Sequence, residues 1–167
     1  MIMIKNLIPA IAAILLTAGC SITIGDPVDN TMILNGITYH YVLPLHQGLN
    51  DPSGYVTIDI NHPASESIHG HGGFSYQAVG RTIDAGDPAE ADRALLMDFN
   101  FSGPGSYTMA LVSGVQTVRR EGNTLIVYID GKDINGQRFY LNAYVYDEVE
   151  FWNAHPAGID ARWEPGM

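Results

Sequence analysis

The stretch TLIVYIDGKDINGQRFYLNAYVY, residues 124–146, decides the fold class of this chain. It contains two alternating runs, Thr124 to Ile129 and Phe139 to Val145, separated by the turn-rich loop Asp130 to Gly136. Side chains along an extended strand point to opposite faces with period two, so each run sorts its residues onto two sides. Leu125, Val127 and Ile129 share one face with Phe139, Leu141, Ala143 and Val145. Thr124, Ile126 and Tyr128 share the other with Arg138, Tyr140, Asn142, Tyr144 and Tyr146. The aliphatic face belongs to a core, and the spacing predicts a hairpin.

The same period runs upstream. Tyr107 to Val112 follows the turn Gly103-Pro104-Gly105, and Val115 to Arg119 leads into the turn Glu121-Gly122-Asn123. Tyr55 to Ile60 alternates Val56, Ile58 and Ile60 with polar neighbours, as a half-buried strand does. Met32-Ile33-Leu34 and Ile37 to Val42 flank Asn35-Gly36, a pair that supplies the two positive φ values of a type I′ turn. Residues 61–73 are rich in turn formers, and Phe74 to Val79 resumes a strand pattern. Asp87-Pro88-Ala89-Glu90 has the layout of a helix start but supports at most one or two turns, since Leu95, Met97, Phe99 and Phe101 alternate soon after. The tail from Glu150 to Met167, with Trp152 and Trp163, shows little periodicity and is expected to be a loop packed over one end of the sheet. Short strands about ten residues apart, with glycine turns between them, predict an all-β fold, either an antiparallel β-sandwich or a small β-barrel. Residues 32–167 are expected to be a single β domain.

The amino terminus sets the expected compartment. Lys5 is followed by an apolar run from Leu7 to Leu16 and then by Thr17-Ala18-Gly19-Cys20-Ser21, the layout of a secretory signal peptide. A permanent bilayer span takes roughly 20 apolar residues, more than this run offers. Ala18-Gly19-Cys20 resembles the lipobox of bacterial lipoproteins, with Thr17 standing where that family more often has leucine. The resemblance covers the first 21 residues only. It implies that residues 1–19 are removed and that Cys20 is acylated and becomes the first residue, so that residues 20–31 form a lipidated cysteine and a short tether. Ser21 implies delivery to the outer membrane, facing the periplasm, rather than retention in the inner membrane, if the source is Gram-negative.

Composition agrees with an envelope protein. Cys20 is the single cysteine, so a lipidated chain has no thiol left for a disulfide or for nucleophilic attack. Losing Lys5 leaves 7 basic against 18 acidic residues, a formal charge of −11. That balance argues against nucleic acid as a partner and against electrostatic attachment to an anionic bilayer, leaving the acyl chains as the membrane contact. A protein or glycan of the envelope remains open as a partner.

Three constellations carry possible chemistry. His62, His69 and His71 fall within ten residues, and on an extended segment His69 and His71 point to one side. With a third ligand such as His62, Glu66 or Asp59 they could hold Zn²⁺ or Cu²⁺; the competing reading is a solvated glycine-rich loop. Tyr128, Tyr140, Tyr144 and Tyr146 form a stripe suited to stacking on sugars or docking a protein, unless a second sheet or the tail covers them as core. The loop Asp130 to Asn135 carries carboxylates but lacks the spacing of an EF-hand, so a plain hairpin loop is expected. No G-x-S-x-G, H-E-x-x-H or phosphate-binding glycine motif occurs, and no cofactor signature is visible. The expected role is therefore non-enzymatic binding or support at the membrane surface. A hydrolase acting on envelope material and a metal-binding lipoprotein are the alternatives.

Overall fold

The computed structural model describes residues 28–62, 68–101 and 105–159. The signal segment, Cys20, most of the expected tether, Glu66 and Trp163 lie outside the described residues. Among the described residues ten strands occur in chain order: β1 Thr31–Leu34, β2 Ile37–Tyr39, β3 Leu43–Gln47, β4 Tyr55–Asn61, β5 Ile68–Ser75, β6 Arg81–Asp84, β7 Leu96–Phe101, β8 Ser106–Glu121, β9 Thr124–Asp133 and β10 Arg138–Asp147. One helix, α1, follows at Glu148–Ala154. Seven strands close on themselves in the order β3-β4-β5-β7-β8-β9-β10, so the fold is a small β-barrel.

Closure is made by a short parallel seam in which Tyr146 pairs with Leu45 and Asp147 with His46. The antiparallel hairpin β1-β2 occupies the rest of that edge of β10, pairing Thr31 with Asn142 and Ile33 with Tyr140. Its turn has Asn35 at φ 50° and Gly36 at φ 76°, the two positive values expected there. The hairpin β9-β10 has the expected register, with Leu141 opposite Ile129 and Ala143 opposite Val127. All four face the barrel interior and are fully buried.

A seven-stranded barrel is narrower than the eight-stranded kind, whose interior side chains just fill. Large interior residues therefore need small ones opposite them. Phe99 lies directly across from Gly70, and Phe139 directly across from Gly131. The two rings meet in the middle with centroids 6.3 Å apart. A Cβ on Gly70 would come within 2.5 Å of the Phe99 ring. Met32, Met97, Met109, Phe74, Ile58 and Ile60 fill the remaining interior as part of one continuous apolar cluster.

Several local expectations are corrected by this packing. Residues 68–73, expected within a turn-rich loop, belong to β5, because Gly70 makes room for the Phe99 ring and Gly72 lets the β7 backbone approach closely, rather than either serving as a hinge. The two runs Tyr107 to Val112 and Val115 to Arg119 are one strand, β8, bent by an irregularity between Leu111 and Ser113. Gly114 and Gly131 pair just past this bend, where a side chain on either would strike the other strand's backbone. The bend lets β8 pair with β7 along its first part and with β6 along its second. The tail begins as α1 rather than as a loop. Asp147 caps it by accepting from the Glu150 backbone N–H at 2.9 Å, and Phe151 packs with Leu43, Leu45 and Tyr146 over the outside of the seam.

Two measurements test this packing. Leu141→Ala should cost about 2–5 kcal/mol through lost burial and the cavity it leaves, whereas Tyr144→Ala, on the half-buried outer wall, should cost about 1 kcal/mol; urea melts of the two variants give the comparison. Gly70→Ala should cost about 1–3 kcal/mol by overpacking against Phe99, and Phe99→Leu in the same chain should recover part of that loss.

Candidate functional site

The barrel interior is apolar, so the chemistry-bearing side chains stand on its outer wall and at its ends. The clearest grouping lies on the outer wall of four neighbouring strands. Register places Asp59 of β4, His71 of β5, Asp98 of β7 and Thr108 of β8 in one row. A second row runs beside it through Asn61, His69, Asn100 and Ser106. His71 Nδ1 lies 2.7 Å from Asp59 Oδ1, and His69 Nδ1 lies 2.9 Å from Asn61 Oδ1. His69 Nε2 is 3.9 Å from the same Asp59 oxygen. Thr108 donates its hydroxyl to Asp98 Oδ1 at 2.5 Å.

His69 and His71 thus share a side, as their spacing predicts, and they do so on a strand rather than a loop. Asp59 is the carboxylate beside them. His62, one residue past β4, instead packs edge-on against Tyr39 with centroids 6.3 Å apart. Among the described residues no group of three His, Cys, Asp or Glu side chains is placed to hold a metal ion.

The tyrosine stripe also lies on the outer wall, so it is neither barrel interior nor covered by a second sheet. Tyr128 and Tyr140 meet edge to face at 5.8 Å, and the Arg138 guanidinium sits 5.4 Å from the Tyr140 ring centre. Arg138 also grips Asp130 through two bonds of 2.9 and 2.8 Å. Tyr146 packs on Phe151 at 5.5 Å, so α1 covers that end of the stripe. Burial, with the Asp29 charge behind it, pushes the Tyr140 phenol up. All four rings are half-buried.

Of the Asp130 to Asn135 segment, expected as a hairpin loop, Asp130 to Asp133 are paired in β9 and only the residues after Asp133 form the turn to β10. β9 continues to Asp133, which is buried and holds the turn by accepting from the Asn135 and Gln137 backbone N–H groups at 2.9 Å each and from the Tyr107 hydroxyl. Burial alone would raise the Asp133 carboxyl, but these bonds outweigh it and hold the group below the ordinary 3.8. With Asp133 so occupied and Asp130 paired with Arg138, the carboxylates serve the hairpin.

At the opposite end of the barrel stands His46, which the strand pattern did not single out. It is opposite Ile58 and therefore faces inward, with Nε2 2.6 Å from the Asn123 carbonyl oxygen and Nδ1 buried without a partner. Burial pushes its pKa down, helped by Arg120, against the Asn123 carbonyl and the charges of Asp147 and Glu150. No sequence signal separates this histidine from a surface one, because only barrel closure buries it. Compared with known proteins, the chain matches no family model, no curated protein and no solved structure.

The two depressed groups fix a pH dependence. A group titrating lower in the folded than in the unfolded chain makes the unfolded chain take up protons first, so stability falls as pH drops. His46 should produce a loss beginning near its ordinary value of 6.5, and Asp133 a further loss beginning near 3.8. Urea melts across pH 3–8, bounds chosen at about one unit outside the two ordinary values, should show the upper loss shrinking in His46→Gln while the lower one persists.

Proposed function

We propose that this chain is a lipid-anchored envelope protein with a non-enzymatic binding role, held at the membrane by acylated Cys20 and presenting the outer wall of its barrel. The observation that carries this reading is the filled interior. A small barrel that bound a ligand inside would leave a cavity lined by a few polar groups, whereas here one apolar cluster containing Phe74, Phe99 and Phe139 fills the interior. Recognition therefore falls to the outer wall, which carries the tyrosine stripe and the polar rows on β4, β5, β7 and β8.

The start of the described chain fits a short tether. Asn30 is fully buried and makes three bonds: its carbonyl accepts from Val42 N at 2.9 Å, its side-chain amide donates to Val42 O at 3.0 Å, and Oδ1 accepts from Tyr144 N at 2.9 Å. The barrel is thus fixed ten residues beyond Cys20, and ten extended residues reach about 33–36 Å at most. An acylated Cys20 holds the barrel within that distance of the bilayer, close enough to meet envelope proteins or glycans.

Buried methylenes contribute roughly 0.8 kcal/mol each, so two or three acyl chains anchor durably where one does not. Cys20→Ala should therefore leave uncleaved precursor or unacylated protein, read by mass spectrometry of the membrane fraction. Acylated mature protein at wild-type level from that variant would overturn the proposal. Recovery of the wild-type protein wholly in the inner-membrane fraction would overturn its outer-membrane placement.

A further inference from the structure

We infer that the β1-β2 hairpin is a second membrane contact of this protein, laying Ile37 and Tyr41 into the headgroup layer of the bilayer that holds the acyl anchor. The inference rests on the anchored reading of Cys20 proposed above and adds to it a surface of the barrel. Asn30, where the tether enters the fold, is buried and bonded to both backbone groups of Val42, accepting from its N–H at 2.9 Å and donating to its carbonyl at 3.0 Å. Tyr41 therefore stands beside the tether's point of entry. From Tyr41 back to Ile37 is four residues, about 13 Å of extended chain, so the hairpin lies well within the reach of the tether from Cys20.

The surface so placed is apolar and uncharged. Ile37 is 54% exposed and Tyr41 50%. Residues 30–50 include no Asp, Glu, Lys or Arg, in a chain of formal charge −10; Asp29 is the nearest acidic residue before them. On the neighbouring strands Arg138 and Asp130 are bonded to each other and so add no net charge beside the hairpin. An anionic bilayer repels the acidic parts of the chain but finds little to repel here. Val149 on α1 is the contrast: it is as exposed as Ile37, yet Glu148 and Glu150 flank it.

Backbone strain and strand order point the same way. Tyr41 has φ 60°, a left-handed conformation that is costly for a bulky residue. Burial does not offset that cost, since half of the residue faces outward. A tyrosine ring with its polar tip suits the boundary between headgroups and acyl chains. β2 ends the strand order, with β1 as its partner, so its outer backbone groups need water or headgroups. Open sheet edges do not occur in the hydrocarbon region, which fixes the contact at headgroup depth. The edge also lacks the charged side chains that guard exposed strands against pairing with another copy, a guard that membrane cover makes unnecessary.

The test uses full-length protein, purified with its acyl chains and reconstituted into vesicles of phosphatidylethanolamine and phosphatidylglycerol. Cys20 is the single cysteine and its sulfur carries lipid, so Ile37→Cys or Val149→Cys supplies the one free thiol for an environment-sensitive fluorophore. Nitroxide-bearing lipid should quench the label at residue 37 about threefold more than the label at residue 149, as suits a side chain about 5–10 Å into the headgroup boundary. Tyr41→Gly in the Ile37→Cys chain should reduce that quenching about twofold, because interfacial binding scales with buried apolar area. It should melt no lower than its parent, because glycine accepts φ 60° without strain. Thr38→Cys, at an exposed position, repeats the measurement should Ile37→Cys lower the melt. Equal quenching at residues 37 and 149, or quenching unmoved by Tyr41→Gly, overturns the inference. Shielding of the label that follows protein density without lipid quenching would assign the hairpin to a second copy and overturn it as well. Two reactive thiols per chain would show Cys20 bare and overturn the anchored reading together with this inference, whereas acylated protein without quenching overturns this inference alone.

Discussion

Two phenylalanine–glycine pairs hold the centre of the barrel, and the rest of the structure is arranged around them. Phe99 opposite Gly70 and Phe139 opposite Gly131 place two rings in contact across the interior; a Cβ on Gly70 would strike the Phe99 ring, and one on Gly131 the backbone of β8 at Ser113. A ring covering a glycine on the next strand buries that strand's backbone, which would otherwise gain no side-chain packing there. The two pairs lie on β5-β7 and β9-β10, so they link distant parts of the chain through one contact. Because folded interiors are packed as densely as organic crystals, such a contact leaves little choice of register.

Filling the interior this way pushes every other requirement to the ends and the outside. The seam between β3 and β10 is only two residue pairs long, and it is reinforced from outside by α1, whose Phe151 packs on Leu43, Leu45 and Tyr146. Polar groups that closure does bury are satisfied locally. Gln116 accepts from Leu95 N at 2.8 Å and donates to Arg93 O at 3.3 Å, while Asn30 and Asp133 each bind the backbone of neighbouring segments. Among the described residues His46 and His62 are the exceptions, each keeping a buried Nδ1 without a hydrogen-bond partner. These groups act as fasteners where strands end, a role that an apolar residue cannot fill because turns leave backbone N–H and C=O groups to be satisfied.

The outer wall has the opposite character. Cross-strand rows of Asp, His, Asn, Ser and Thr cover β4, β5, β7 and β8, and half-buried tyrosines cover β9 and β10. Both patches hold their geometry because the strands beneath them are pinned by the same filled interior. Side chains two apart on a strand, or opposite one another on two strands, therefore keep fixed relative positions without any support of their own.

What the sequence determined by itself was whatever depends on neighbours in the chain. Period-two alternation gave β4, β9 and β10 their inner and outer faces, Asn35-Gly36 gave a turn its type, and the spacing of His69 and His71 put them on one side. These follow from backbone geometry alone, so no knowledge of distant segments was needed. The tertiary structure decided what depends on contact between distant segments. Gly70 and Gly72 resemble loop residues until the Phe99 ring is placed over the first and the β7 backbone against the second, and the bend in β8 resembles a strand break until Gly114 meets Gly131. Barrel rather than sandwich turned on the Tyr146–Leu45 and Asp147–His46 pairs, which join segments about a hundred residues apart. The partner of the histidine pair followed from strand pairing too: His62 is nearest to it in the chain, but register brought Asp59 beside His71 and left His62 against Tyr39.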